Sequence, residues 1–167
     1  MKKIIVSLLC VCMLVSLAAC AAKPAEATET EGSAEAVGMA NPFVDYDTME
    51  AAAEAVGFDF AVPDTIEGYP VRQIQVMSGE LLQVLYLNDA GDRVILRKAA
   101  GDQDISGDYN SYDEGVAIDG EDWSAELRGT SKGFFVATWI CDGYTYSITT
   151  DQPMTQDAMT ALAQAVK

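Results

Sequence analysis

The sequence FFVATWICDGYTYSITT, residues 134–150, is the clearest structural signal in the chain. It consists of two runs rich in aromatic and β-branched residues, 134–141 and 144–150, joined by Asp142-Gly143. Such runs favour β-strands, and Asp-Gly between them is typical of the type I′ turn of a two-residue hairpin. The stretch therefore predicts an antiparallel β-hairpin.

Similar runs precede this hairpin, and turn residues separate most of them. Asp119-Gly120 is expected to form a second turn of the same kind. Trp123, Ala125 and Leu127 alternate with polar residues, which indicates a sheet with one dry and one wet face. Consecutive hairpins predict an antiparallel β-meander of about seven strands. The candidate segments are residues 58–62, 71–77, 81–87, 93–98, 116–118, 122–128, 134–141 and 144–150.

Two amphipathic helices are predicted on either side of the strands. The first spans residues 47–57, with Asp47 as its N-cap and Gly57 as the residue that ends it. The second begins after Thr155, its predicted N-cap. Apolar residues recur at helical spacing in both; they are Met49, Ala52, Ala53 and Val56, and Met159, Leu162, Ala163 and Val166. The predicted class is α+β, with an N-terminal and a C-terminal helix packed on the meander.

The amino-terminal residues have the order of a bacterial lipoprotein signal peptide. Two lysines follow Met1, residues 4–19 are uncharged, and Leu17-Ala18-Ala19-Cys20 resembles a lipobox. The apolar run is shorter than the ~20 residues that a membrane-spanning helix needs. The lipobox implies that residues 1–19 are cleaved and that Cys20 receives a diacylglyceryl group. Acyl chains on Cys20 would anchor the protein to the outer face of the bacterial cytoplasmic membrane.

The chain divides further by composition. Residues 20–40 contain glutamates, a proline and no aromatic residue, and predict a flexible acidic tether. Residues 41–167 are expected to form a single domain. Cys141 is the one cysteine of that domain, so no internal disulfide is predicted. The chain has no histidine, which removes the usual general base.

The charge of the chain excludes one class of partner. The formal net charge is −16, and loss of Lys2 and Lys3 with the signal would take it to −18. A chain this acidic is repelled by nucleic acid, so nucleic-acid binding is excluded. The sequence contains no cofactor motif, and no cofactor is expected.

The acidic segment 102–113 has the oxygen spacing of an EF-hand calcium loop. The candidate ligands are Asp102, Asp104, Ser106, Asn110 and Asp113, with a glycine at position 107. However, Asp113 stands where a bidentate glutamate is usual, and the flanking segments 93–98 and 116–118 are predicted strands rather than helices. A polar connection between strands is therefore the competing interpretation.

The same region is a candidate docking surface. Residues 99–127 contain nine acidic residues and no lysine or arginine. With Tyr109 and Tyr112 interleaved, this segment could contact a basic partner or a cation. A solvated acidic loop is the alternative.

Residues 41–167 also carry a resemblance that extends over nearly all of their length. The segments concerned are Asn41-Pro42-Phe43, Ala55-Val56-Gly57-Phe58, Val62-Pro63, Arg97-Lys98-Ala99, Asp104 to Asn110, Ala137-Thr138-Trp139 and Gly143-Tyr144. They resemble an uncharacterised domain family, found in extracytoplasmic lipoproteins of Gram-positive bacteria and in anti-sigma-factor-like proteins. That family has no assigned activity, so the resemblance implies no catalytic residue. It does imply that the loop 105–109 belongs to the fold.

The sequence thus predicts a lipid-anchored binding or sensing module. Its expected partners are the membrane, through the lipid on Cys20, and an unidentified protein or cell-envelope ligand. Two alternatives stay open, a calcium-binding surface module that uses residues 102–113 and a cell-envelope hydrolase. For the hydrolase, Ser131 and Lys132 are neighbours in a predicted hairpin turn, but no catalytic residue is assigned.

Overall fold

Residues 41–120 and 122–167 are described by a computed structural model of the chain. The strands are β1 (Phe43–Tyr46), β2 (Val71–Met77), β3 (Leu81–Leu87), β4 (Arg93–Ala100), β5 (Glu114–Asp119), β6 (Ser124–Thr130), β7 (Gly133–Cys141) and β8 (Tyr144–Met154). The helices are α1 (Met49–Val56) and α2 (Gln156–Gln164). Within the described residues, neither helix has the length and apolar character needed to cross a membrane. The predicted signal peptide, Cys20 and the tether lie outside the described residues.

All eight strands form one antiparallel sheet in the order β1-β2-β3-β4-β8-β7-β6-β5. The sheet consists of two four-stranded meanders, β1 to β4 and β5 to β8, joined by the pairing of β4 with β8. Residues 101–113 therefore run from β4 to the far edge of the sheet at β5, and we call them the crossing loop. The predicted α+β class is confirmed as a meander-like antiparallel sheet with two helices.

The strand prediction is wrong at the amino-terminal end of the domain. Residues 58–62 are not part of the sheet, because Ala61 exchanges backbone hydrogen bonds of 2.8 and 3.0 Å with Lys167 instead of with a strand. Phe43–Tyr46, which was not predicted, pairs with β2 and forms one edge. In residues 41–120 and 122–167 the sheet has eight strands, where about seven were predicted.

The two Asp-Gly turns differ from each other. Asp142 and Gly143 have φ values of 51° and 80°, the left-handed conformation that a type I′ turn requires, as predicted. Asp119-Gly120 does not form such a two-residue turn, because β6 begins only at Ser124. The backbone N–H of Gly120 instead donates to the carbonyl of Trp123 at 2.7 Å, which closes a longer connection.

The helix ends follow from side-chain capping. Thr48, and not Asp47 as predicted, is the N-cap of α1. Its backbone is extended and its hydroxyl oxygen accepts the N–H of Ala51 at 3.2 Å. Gly57 ends α1 with φ of 79°, as predicted. Thr155 caps α2 in the predicted way, accepting a first-turn N–H at 3.2 Å.

One face of the sheet, the core face, carries the hydrophobic core. Strand residues such as Leu82, Leu96 and Ile148 are fully buried there. Ala52 of α1 and Met159 of α2 belong to the same cluster. The opposite, polar face carries a row of paired residues, one from each of six neighbouring strands: Asp45, Gln75, Gln83, Arg97, Ser147 and Thr138.

Candidate functional site

The crossing loop is docked on the polar face by Arg97. The Arg97 Nε donates to Gln83 Oε1 at 2.8 Å, which orients the guanidinium. Its Nη1 donates to the backbone carbonyls of Ile105, at 3.0 Å, and Ser106. Because these carbonyls belong to the loop, the loop is tied to the sheet at its middle.

A second arginine holds the loop from β6. The Arg128 Nη2 lies 3.3 Å from both Asp104 Oδ2 and Ser106 Oγ. Burial raises the pKa of the Asp104 carboxyl, but hydrogen bonds with Ser106 and the charge of Arg128 outweigh burial, so the pKa lies below its usual value. Asp104 therefore stays ionised against a protein cation.

The candidate calcium ligands bond mainly to protein groups. Asp104 and Ser106 meet around Arg128. Asp102 accepts from Gln103 at 3.0 Å, and Asn110 donates to Asp108 at 3.1 Å. Asp113 is exposed. Among residues 41–120 and 122–167, no group of three or more His, Cys, Asp or Glu side chains is placed to hold a metal ion.

The two candidate contact tyrosines have different environments. Tyr109 is 97% exposed. Tyr112 is half-buried and stacks on Phe135 with ring centroids 5.8 Å apart, and its hydroxyl donates to Asp108 Oδ2 at 2.9 Å. Tyr109 is thus accessible to a partner, whereas Tyr112 packs within the domain.

The structure also contains an aromatic cavity of about 810 Å³ that was not predicted. This volume lies within the range of about 300–1,000 Å³ typical of small-molecule sites. We call this cavity the aromatic pocket. Its central residues are Lys98, Trp123, Trp139, Tyr144 and Tyr146. Its lining further includes the exposed charged residues Asp122, Asp142 and Lys167 and the partly buried Cys141.

The β7–β8 hairpin builds the aromatic wall of this pocket. Trp139 and Tyr146 are direct cross-strand partners, and their rings are parallel to within 4° with centroids 5.2 Å apart. Trp123, from the connection before β6, adds a third ring whose centroid lies 5.5 Å from that of Trp139. Contacts of this geometry are favourable between aromatic rings. The wall is therefore held by the sheet register.

Lys98 projects from β4 into these rings and is 7% exposed. Its Nζ donates to the backbone carbonyl of Asp59 at 2.6 Å. The Nζ also lies 4.6 Å from the ring centroid of Tyr144, 5.0 Å from that of Tyr146 and 5.6 Å from that of Phe58. Cation–π attraction of this kind stabilises an ammonium group away from water. Burial still lowers the pKa of Lys98 below its usual value.

The described residues provide no contacting counter-ion for the charge of Lys98. In the part of the chain that the structure describes, no carboxylate oxygen lies within 4.0 Å of its Nζ. Asp59 and Asp142 act on the ammonium at longer range. Buried charges are costly unless they are paired, so this ammonium is an unusual group in the lining of a cavity.

Sequence reasoning missed this pocket, although the sequence contains a signal for it. Val94, Leu96 and Lys98 have the same parity in β4, so a lysine occupies a core-facing position. The type I′ turn also sets the register that pairs Trp139 with Tyr146. A lysine in register with stacked aromatic residues is the pattern that could have identified the site.

No family model, curated protein or solved structure matches the chain. The resemblance to an uncharacterised extracytoplasmic domain family therefore stays a prediction.

Proposed function

We propose that the protein is a lipid-anchored extracytoplasmic lipoprotein whose domain binds a small ring-bearing ligand in the aromatic pocket. The observation that carries this proposal is a cavity of about 810 Å³ that combines stacked tryptophan and tyrosine rings with a buried ammonium group. Pockets that bind small molecules are commonly apolar, with a few placed polar groups that orient the ligand. Strands β4, β7 and β8 supply four of the five central residues, which keeps their geometry rigid.

The two tryptophans of the chain, Trp123 and Trp139, both line the pocket, so intrinsic fluorescence reports on it directly. We expect 3-phenylpropanoate, 3-phenylpropanamide or 3-phenylpropylamine to change the tryptophan emission of the folded protein in a saturable way. Trp123→Ala should weaken that binding, because it removes one wall and leaves the stacked pair in place.

Val44→Ala is the control, because Val44 is an apolar residue that is exposed on β1, at the edge of the sheet away from the pocket. Its titrations should equal those of the parent protein. If none of the three probes changes the emission at millimolar concentration, the pocket is not a small-molecule site and the proposed function fails.

The membrane anchor rests on the lipobox at residues 17–20. Cys20→Ala should move the protein from the membrane fraction to a soluble or unprocessed pool, because the thiol that accepts the diacylglyceryl group is lost. Fractionation of cells grown with labelled fatty acid measures this. Equal labelling of the Cys20→Ala variant and the parent would contradict the anchor.

We further propose that both helices pack on the core face. Buried Ala52 of α1 and buried Met159 and Ala163 of α2 support this arrangement, because all three belong to the cluster formed by that face. With α1 and α2 in these places, the aromatic pocket lies beside the carboxyl-terminal end of α2, where Gln164 contributes to its lining.

The two alternatives receive no comparable support. A calcium module would need the oxygens that Asp104 and Ser106 already share with Arg128. For a hydrolase, Ser131-Lys132 is exposed in the turn between β6 and β7, where no side chain of the described residues bonds to either group in a catalytic arrangement.

A further inference from the structure

We propose that the aromatic pocket selects ligands that carry a single carboxylate, and that this carboxylate pairs with Lys98. The proposal rests on the proposed function, since it names the chemical class of the ligand that the pocket binds. It would make Lys98 the residue that determines specificity and the tryptophan and tyrosine rings the surface that holds the ring of the ligand.

The hydrogen-bonding capacity of Lys98 is the first argument. An ammonium group has three N–H donors, and the structure gives Lys98 one hydrogen-bond acceptor, the carbonyl of Asp59 at 2.6 Å. Its Nζ also lies over the faces of Tyr144, Tyr146 and Phe58. A ligand carboxylate would accept hydrogen bonds from the other N–H groups and act as the counter-ion at once, in a largely buried site where such hydrogen bonds are strong.

The charge of the pocket disfavours the other ligand classes. A cationic ligand would compete with the Lys98 ammonium for the same rings and would be repelled by it. An uncharged ligand would leave the buried charge of Lys98 without a counter-ion, which is costly. A ligand with several negative charges would be repelled by Asp122 and Asp142, which outnumber the exposed Lys167 in the lining, and by the strongly negative chain. A monocarboxylate meets each of these constraints.

Three probes of similar shape separate these classes. They are 3-phenylpropanoate, 3-phenylpropanamide and 3-phenylpropylamine, titrated into the folded protein with tryptophan emission as the signal. We expect 3-phenylpropanoate to bind about tenfold or more tightly than the amide, because it gains a charged hydrogen bond, and the amine to bind most weakly. Lys98→Met, which keeps an unbranched side chain without the charge, should reduce the carboxylate-to-amide ratio to about one.

Lys132→Met is the matched control, because it removes one positive charge from an exposed turn far along the chain from Lys98. It should leave the carboxylate preference intact. If Lys98→Met does not fold, the pH dependence of the parent protein replaces it. Affinity for 3-phenylpropanoate should fall as pH rises through the Lys98 pKa, whereas affinity for the amide should not fall, because the amide no longer leaves a charge unpaired once Lys98 is neutral.

The outcomes distinguish this inference from the function on which it rests. Equal binding of all three probes, or preference for the amine, would overturn the carboxylate proposal and leave the binding function standing. A carboxylate preference that persists in Lys98→Met would also overturn it. Absence of binding by every probe would remove the binding function itself. A preference that Lys98→Met abolishes and Lys132→Met retains supports both.

Discussion

Gly107, in the middle of the crossing loop, is constrained both by its backbone conformation and by a close neighbour. Its φ is +65°, and a Cβ there would lie 2.5 Å from Arg97 Nη1. A left-handed backbone costs a non-glycine residue roughly 1–2 kcal/mol. The Arg97 side chain could swing away from the added methyl group, but it would then lose its hydrogen bonds to Ile105 and Ser106.

Gly107→Ala should therefore lower the free energy of unfolding by about 2–4 kcal/mol, the conformational cost plus part of a charged hydrogen bond. Urea denaturation measures this. Gly68→Ala is the control, because Gly68 has a similar φ of +81° and an added methyl group there would meet nothing within 4 Å, so it should cost only about 1–2 kcal/mol. Equal losses in the two variants would show that the contact with Arg97 does not hold the loop.

Asp151 gives the fold a specific sensitivity to acid. It accepts from Arg93 Nε at 2.9 Å, from Nη2 at 3.1 Å and from the Arg93 backbone N–H at 2.9 Å. Hydrogen bonds from Arg93 are the main cause that lowers the pKa of Asp151 below its usual 3.8. Since the folded pKa lies below the unfolded one, the stabilisation is fully present above the unfolded value and is lost as pH falls through the folded value.

Asp151→Asn should reduce stability at pH 7 by about 1 kcal/mol or less, because the pair is partly exposed. The difference from the parent should shrink as pH falls below 4. Urea midpoints at pH 7 and at pH 2 to 3 measure it. Asp64→Asn, which removes a carboxylate that is 98% exposed and 3.6 Å from Arg72, is the control and should show little difference at either pH. A constant Asp151→Asn deficit at all pH values would contradict the mechanism.

At the level of elements, α2 contributes one buried row to the core. Met159 and Ala163 are fully buried and Val166, which follows the helix, is 4% exposed, whereas Leu162, predicted to share this stripe, is only partly buried. In the proposed packing of α2 on the core face, the Met159 side of the stripe faces the sheet. Helix periodicity identifies a stripe but not the residue at its centre.

Met159→Ala should lower the free energy of unfolding by about 2–5 kcal/mol, as expected for a fully buried large side chain. Leu162→Ala is the matched comparison on the same helix and should cost clearly less. Thermal or urea denaturation of the two variants measures the difference. A larger loss for Leu162→Ala would show that α2 is rotated relative to this arrangement.

At the scale of the whole molecule, the pairing of β4 with β8 determines the path of the crossing loop. It joins two meanders into one sheet and requires residues 101–113 to cross three strands. Arg97 and Arg128, which lie on the crossed face, supply the cations that an acidic loop needs at that place. The carboxylates of the loop are thereby part of the fold.

Calcium should therefore have no specific effect on stability. We expect millimolar calcium and magnesium to shift the melting temperature alike, through weak screening of the net negative charge. A genuine calcium site at a hundredfold excess over its dissociation constant would add about 2.7 kcal/mol. A calcium-specific rise in melting temperature that Asp104→Asn and Asp113→Asn abolish would contradict this expectation.

Local patterns in the sequence were sufficient for much of the fold. Seven of the strands, the Asp142-Gly143 turn and the Gly57 and Thr155 helix ends were predictable. Each depends on neighbouring residues through alternation, helical period or a residue that tolerates positive φ. The lipobox prediction is local in the same sense. The N-cap of α1 is Thr48 rather than the predicted Asp47, which shows that such signals locate a helix end to within about one residue.

The long-range arrangement was not readable in this way. The alternation of apolar and polar residues within a strand does not indicate which strands are neighbours. The β4–β8 pairing and the docking of the crossing loop could therefore be identified only from the tertiary structure. The aromatic pocket joins Lys98, Trp123 and the β7–β8 hairpin, which are far apart in sequence. Lys98 is tolerated at a core-facing position because the carbonyl of Asp59 and three aromatic rings surround its charge, and burial of a charge is a property of the whole fold rather than of any local segment.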